Sequence, residues 1–580
     1  MFGLREIKGM KERGITLVAL VVTIVILLIL AGISISTLSN TGIFKKAKDA
    51  KQKYENEQKN EKSLISKYQK EIVRQDAEGK WDGKVNKPEL MTGMKAIEFE
   101  EPTDTTEGSV KSVNDINTSD WYNYDEKKWA NAQTEDGSMW VWIPRFAYKI
   151  IYNDSNDKSK GGIFDIVFLI GTTDNYIDDN GNLQTAQRQT DKNQVIETDS
   201  TKTNKYTVHP AFTNESNIDY QNGGWDKELT GIWVAKFEAG YASGNNKARV
   251  QESEILYSQN TVVVSGYEGY GQQHNDTARN WLDGEYSIKK GENLYEWKNK
   301  KQTKIKYPTF QGLTYSMNYI SLNDAYLISK TLNGKNNIYR FKEKETDSHL
   351  MKSSEWGAIV YLTKSKYGLE NRDILINNVT LNSDSTTPYA YAVTGCSGDS
   401  ADSDEVGTTI EKIKNKQQAG IYTWTQLKGT GASTTGTIYG IYDTSGGLFE
   451  RNAGRIEDIN SDFLKQTGTA LIEETANNKS TKYVTVYKKN EENSQSEEEK
   501  IASNYNVNNK YGDALKEISN VGVGQTAWND DWFKYLFSDK AYILHGATYE
   551  YGKNAGIMAM ACSDGNSFYS NGFRAVLVSK

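Results

Sequence analysis

From Gly14 to Ile35 the chain reads Gly-Ile-Thr-Leu-Val-Ala-Leu-Val-Val-Thr-Ile-Val-Ile-Leu-Leu-Ile-Leu-Ala-Gly-Ile-Ser-Ile, with no charge and no proline. A run of that length is what a helix needs to cross the hydrocarbon core of a bilayer. Nothing later in the chain is comparable, so this stretch sets the compartment expected for everything after it. A cleaved secretory signal and a retained anchor compete for it. The run is long for a signal and continues directly into a helical pattern. Arg5, Lys8, Lys11 and Arg13 outweigh Glu6 and Glu12 in front of it, and a basic flank stays cytoplasmic. The expectation is a single-pass cell-membrane protein with its N-terminus cytoplasmic and its C-terminal domain extracellular.

Lys11-Glu-Arg-Gly14 followed by Ile15-Thr-Leu-Val resembles the leader of type IV prepilins and pseudopilins. The resemblance implies cleavage after Gly14, N-methylation of Ile15 and a bacterial cell-surface setting. It covers only about the first fifty residues. Ala19 departs from the family, which places a glutamate there for assembly. That departure leaves open a minor pilin, a pseudopilin of a type II secretion-like machine, or a plain anchor. The partners implied are the membrane and pilus or secretion-system subunits.

The chain has 580 residues, enough for two to four domains. Its net charge of −7 argues against nucleic acid as a partner, which needs a concentrated basic face. Tyrosine and tryptophan are plentiful and proline is scarce. The two cysteines, Cys396 and Cys562, form no CxxC and are read as buried thiols, with one disulfide as the alternative.

After the apolar run, Ile43, Ala47, Ala50, Tyr54, Leu64, Tyr68 and Ile72 recur at helical spacing. Between 55 and 62 the face is wholly polar, and Glu55 with Lys59 and Lys67 with Glu71 stand at i,i+4. The pattern predicts an exposed helical stalk. Thr103 to Asp120 reads as a linker. Strands are expected at Ser138–Ile143, Phe164–Ile170 and Gly231–Ala239, with a hairpin turn at Asn180-Gly181. Helices are expected at Ser321–Leu332 and at Ser353 to about Lys366, with Ser354 as a cap. The charge run Lys488–Lys500 reads as a solvated or disordered loop.

In the globular part, seven segments in order resemble the formylglycine-generating enzyme family, a branch of the C-type-lectin-like architecture. They are Trp140-Val-Trp-Ile-Pro144, Ile232–Glu238, Ser321–Leu332, Ser353-Ser-Glu-Trp-Gly-Ala358, Gly440–Glu450, His545-Gly-Ala-Thr548 and Gly572-Phe-Arg574. The expected fold class is α+β: an N-terminal transmembrane and stalk α-helix, then an irregular, loop-rich domain of this type. The expected divisions are a leader at 1–14, a transmembrane helix at 15–35 and a stalk at 36–78. A linker with short β elements follows at 79–134, then the domain at 135–580, with insertions near 150–225, 240–305, 397–436 and 455–530.

The enzyme family's oxidase chemistry needs two neighbouring cysteines that bind copper after the His545-Gly-Ala-Thr548 position. Residues 548–561 contain none, and a lone thiolate is a poor copper site. His545 and Tyr549 are the residues a copper-free oxidation would recruit. The expected function is a non-catalytic ligand-binding or adhesion domain on an anchored, pilin-like chain; a pilin or pseudopilin subunit and an oxidase-like enzyme are the alternatives. Residues 547–571 are rich in Tyr, Asn, Ser and Gly, which give adaptable contacts as in antibody loops. They resemble the binding surface of variable proteins diversified by retroelements. Tyr549, Tyr551, Asn554, Asp564, Asn566, Phe568 and Tyr569 are the candidate contacts for an extracellular protein or glycan ligand. The resemblance also implies calcium near the Gly440–Glu450 turn, with Asp443 and Glu450 as ligands.

Overall fold

The computed structural model describes residues 43–76, 79–116, 121–154, 157–188, 205–214, 222–241 and 308–580. Within the last span, 319, 335–336, 383–389, 399–405, 408–412, 414–419, 492–495, 520–523, 525–526, 567 and 569 are excepted. Of 242–307 it describes only the backbone of a few short strands. The chain divides into two compact units, Met1–Val73 and Arg74–Lys580.

In the first unit, and just beyond it, runs a 34-residue helix, Ile43–Asp76. It is long but studded with charge at every turn, and Lys51–Glu55 and Lys53–Glu57 form two i,i+4 pairs on it at 3.9 Å. No helix among the described residues is long and apolar enough to cross a membrane. The expected transmembrane architecture, single-pass localisation and pilin-type character are therefore corrected: the one long helix described is a polar one. Gly14, Ile15 and the run 15–35 lie outside the described residues.

The second unit is built mainly of sheet, with few and short helices, which corrects the expected α+β class. Its largest sheet has seven strands in the order Thr346–Leu350, Ala575–Ser579, Gly231–Ala235, Met139–Pro144, Asn131–Thr134, Met94–Glu100 and Ser109–Ser112. All its pairings are antiparallel. The central strands are buried on both faces, so they read as aromatic and β-branched runs rather than as alternations. Trp142 stands opposite Trp233, with ring centroids 5.3 Å apart. Strands 94–100, 109–112 and 131–134 belong to this sheet, so the stretch expected to be a linker is part of the body.

A second sheet carries the C-terminal region. Phe449–Ile456 lies between Thr485–Tyr487, Tyr542–His545 and Asn571–Phe573, and Met560–Ser563 pairs with Tyr542–His545. The 571–573 strand ends where the 575–579 strand of the first sheet begins, so Arg574 stands at the junction of the two sheets. A third, smaller sheet joins Phe146–Tyr152 to Gly162–Phe168 and Thr207–Val208.

Two helices brace the first sheet and its neighbours. Leu322–Ser329 starts at Ser321, whose Oγ accepts from Asp324 N at 3.1 Å. Ser353–Thr363 is fully buried. Its cap is not Ser354: Glu355 reaches back to accept from Lys352 N at 2.8 Å and meets His349 Nε2 at 2.8 Å. The charge run does not form a plain loop either. Ser496 and Glu499 make a reciprocal capping box at the start of a helix, Glu497–Val507.

Candidate ligand-binding site

The segment that carries most of the expected contact residues leaves the second sheet after His545. Thr548 caps it, its Oγ1 accepting from Glu550 N at 3.3 Å, and Tyr549–Asn554 winds as a short 3-10 segment before the chain returns at Met560–Ser563. Tyr551 lies half-buried with its ring edge-on to Phe449 at 5.2 Å and Trp532 at 5.7 Å. Asn554 is stitched to a neighbouring loop. Its Nδ2 donates to Asp530 O at 2.9 Å, and its carbonyl accepts from Trp532 N at 2.9 Å. Tyr549 N donates to Gly447 O at 3.1 Å.

Beside this segment a narrow cleft of about 30 Å³ runs inward, room for one or two water molecules. Three sequence-distant stretches, 363–376, 529–531 and 553–558, line it together with Ser445. Arg372, Asp373, Asn529 and Lys553 are exposed at its mouth, and Lys364 and Asp531 are buried at its floor. Asn529 and Asp530 both hold left-handed backbone, φ 63° and 62°, which few residues other than glycine adopt. The Asn529 amide donates to the Asp373 carboxylate. At position 556 only glycine fits, because a Cβ would stand 2.1 Å from both oxygens of Asp531.

The electrostatics of the floor are unusual. Burial pushes the Asp531 carboxyl well above the usual range, and Asp373 and Asp530 add to that push, against Met558 N, which donates to its Oδ2 at 2.9 Å. Burial pulls the Lys364 amine down, only partly offset by Asp373 and Asp531. Lys364 is 3% exposed and forms no ion pair among the described residues. The site thus holds an acid biased toward its protonated form and a lysine biased toward its neutral form, both facing a water-sized space.

The remaining expected contact residues divide. Asp564 begins a turn in which its Oδ1 accepts from Asn566 N at 3.0 Å, and its carboxylate lies 3.7 Å from Lys540 Nζ. Asn566 is buried and its carbonyl accepts from Arg451, so its place is in the scaffold rather than on the surface. Phe568 is exposed. Tyr569 lies outside the described residues. Tyr549, Tyr551 and Asn554 therefore share one segment with the cleft, and Asp564 and Phe568 come from the next turn. Sequence reasoning missed Lys364, Asp373 and Asp531; the acidic run Asn529-Asp-Asp531 was the one local signal pointing there.

Asp443 and Glu450 lie near one another, but Glu450 is bound to the Arg574 guanidinium and Asp443 to neighbouring N–H groups. Arg574 donates to Glu450 through Nε at 2.9 and 3.1 Å and through Nη2 at 2.5 Å, and to the carbonyls of Ala235 and Tyr442 at 2.7 Å. Asp443 accepts from Asn377 Nδ2 and Gly395 N at 2.8 Å and from Glu238 N at 3.4 Å. All three side chains are buried. Among the described residues no group of three or more His, Cys, Asp or Glu side chains is placed to hold a metal ion. The donor set does not fit calcium, because Arg574 already holds Glu450 and the Asp443 oxygens already accept from three neighbouring N–H groups.

His545 is 1% exposed and stacked on Trp356, 4.9 Å between centroids and 9° between planes. Its Nδ1 meets Ala559 O at 3.3 Å, and burial takes its pKa down to about 3. It is a neutral core ring, closed off from substrate. Both cysteines are free thiols; Cys396 is buried, and burial pushes the Cys562 thiol up to about 12. No family model and no curated protein matches the chain.

Proposed function

We propose that residues 74–580 form a non-catalytic ligand-binding and adhesion module, of the kind its formylglycine-generating-enzyme-like motifs imply. The contact surface is the Thr548–Asn554 turn and the cleft beside it. One observation carries this reading: Tyr551 and Asn554 are held by Phe449, Trp532 and Asp530 beside a cleft floored by Lys364 and Asp531. Aromatic and amide side chains that are already ordered bind at low entropic cost. The closed His545 and the protonated Cys562 thiol favour binding over oxidation.

The test is to pan the intact chain against a glycan array and a displayed peptide library. Tyr551→Ala and Asn554→Ala are expected to abolish binding of the ligands whose hydrogen-exchange protection falls on 546–558, while leaving the melting temperature within a few degrees of wild type. Finding no ligand with that footprint, or finding that such ligands bind both variants as well as wild type, would sink the assignment. Dioxygen consumption with a thiol peptide, in protein loaded with copper, would replace it with the oxidase.

A further inference from the structure

A larger cleft, of about 470 Å³, opens at one end of the first sheet, at the turn joining Asn131–Thr134 to Met139–Pro144. It shares no lining residue with the cleft described above. Its volume falls in the range of small-molecule sites. We propose that it binds a neutral, hydroxyl-rich ring, that is, a monosaccharide or a short oligosaccharide.

The argument rests on what each part of the lining offers. Met139, Ile338 and Trp424 are buried and make an apolar floor. Trp424 Nε1 has no hydrogen-bond partner among the described residues, unlike the indole nitrogens of Trp140, Trp142 and Trp233. Gly312 leaves it room: a Cβ there would lie 2.3 Å from that nitrogen. The floor therefore presents apolar surface and one indole donor.

Two amides form the walls. Gln311 Nε2 donates to Asp136 O at 2.7 Å, and Gln133 Nε2 donates to Gly137 O at 3.4 Å. Each bond spends one N–H and fixes the amide, leaving its oxygen and its second N–H available. Fixed amides that both donate and accept are what vicinal hydroxyls require, since each hydroxyl also does both.

The charges on the lining cancel or are consumed. Arg340 Nε donates to Glu135 at 2.6 Å across the rim. Asp136 accepts from Thr134 Oγ1 at 2.7 Å, Ser138 N at 3.3 Å and Ser138 Oγ at 2.5 Å. A phosphate or carboxylate would meet two acids, Glu135 and Asp136, against a single guanidinium whose Nε is taken by Glu135. A free cation would meet that same guanidinium. A purely apolar ligand would leave the oxygen and second N–H of each amide unpaired in a desolvated site. A neutral ring with one C–H face and several hydroxyls leaves none of these groups unpaired.

The experiment uses the intact wild-type chain with neutral saccharides: glucose, galactose, mannose, N-acetylglucosamine and their disaccharides. Titration calorimetry gives affinity, and hydrogen-exchange mass spectrometry gives position. At least one saccharide is expected to bind and to protect peptides covering 131–139 and 308–313. Gln133→Leu and Gln311→Leu should each weaken it by about ten-fold, with Tyr551→Ala without effect. Glucose 6-phosphate should bind more weakly than glucose. The proposal fails if no saccharide binds, if protection falls on 546–558 instead, if both glutamine variants bind as wild type, or if the phosphorylated sugar binds more tightly. The exchange map needs no substitution, so misfolding of a variant does not obscure the result.

Discussion

The junction at Arg574 and the cleft at Lys364 both bury a cation beside carboxyl groups, and they do so in opposite ways. Arg574 donates to Glu450 and to two backbone carbonyls, joining the two main sheets. Lys364 has Asp373 and Asp531 near enough to shift its pKa but pairs with neither among the described residues. A buried charge whose hydrogen bonds are all made belongs to the architecture. One whose bonds are unmade costs stability that a ligand can return. That contrast separates scaffold from site in this molecule better than residue type does, since Asp, Glu, Lys and Arg occur in both.

The sharpest break of the contrast is Arg574→Met. It strands Glu450 without its cation, and we expect a loss of about 3–5 kcal/mol in chemical denaturation. The double variant with Glu450→Gln should recover part of that loss. A single variant as stable as wild type would show that the junction is not held by charge.

Gly556→Ala tests the cleft wall. Its Cβ collides with Asp531, so a loss of about 1–3 kcal/mol is expected, with partial recovery when Asp531→Ala is added. Additive losses in the two single variants would mean that the collision is relieved elsewhere.

Glu517 lies between the two extremes, saturated by neutral donors but with no cation. Tyr148 Oη donates to it at 2.7 Å and Gly512 N at 3.0 Å, with Tyr361 as a third donor. Burial, then the charge of Asp513, pushes its pKa up to about 7 from 4.5. A carboxyl raised in the folded state favours the protonated native form. Its stabilising contribution is full below pH 4.5 and is lost as pH rises toward 7. Unfolding free energies across that window should fall by about 1–3 kcal/mol in wild type and stay flatter in Glu517→Gln. Parallel pH profiles for the two proteins would place the titration elsewhere.

The smallest effect has the opposite sign. Lys364→Met removes a buried cation without a partner, so we expect a gain of up to about 1 kcal/mol at neutral pH. Because the folded-state pKa of Lys364 is lowered, the unfolded chain binds more protons, and the lysine's cost shrinks as pH climbs toward 10.5. The advantage of the variant should therefore narrow in alkaline buffer. A destabilised variant would mean that Lys364 has a partner at the cleft.

The parts of the fold legible in the sequence were those where local pattern and burial agree. Met139–Pro144 and Gly162–Phe168 are strands close to where their β-branched and aromatic runs place them, and Ser321 caps its helix as its position before Leu322 implies. The strand Met94–Glu100 falls in the stretch expected to hold a linker with short β elements, and its partner Asn131–Thr134 lies beyond the polar residues that follow it. The charges of 488–500 hid the Ser496–Glu499 capping box, because charge density and capping compete for the same letters. Half of the site was legible, since Tyr549, Tyr551 and Asn554 share one short segment. Lys364 and Asp531 were not, because only the tertiary fold brings 363–376 next to 529–531.

The strand Ala575–Ser579 sits inside the first sheet between Gly231–Ala235 and Thr346–Leu350, both made long before it on the ribosome. Until that strand emerges, Trp233 and its neighbours have an open edge, and Glu450 waits for Arg574. Folding of the body is thus completed after synthesis of the 571–579 segment rather than alongside it. In the interval, the nascent chain presents an unpaired apolar edge to whatever in the cell shields such surfaces.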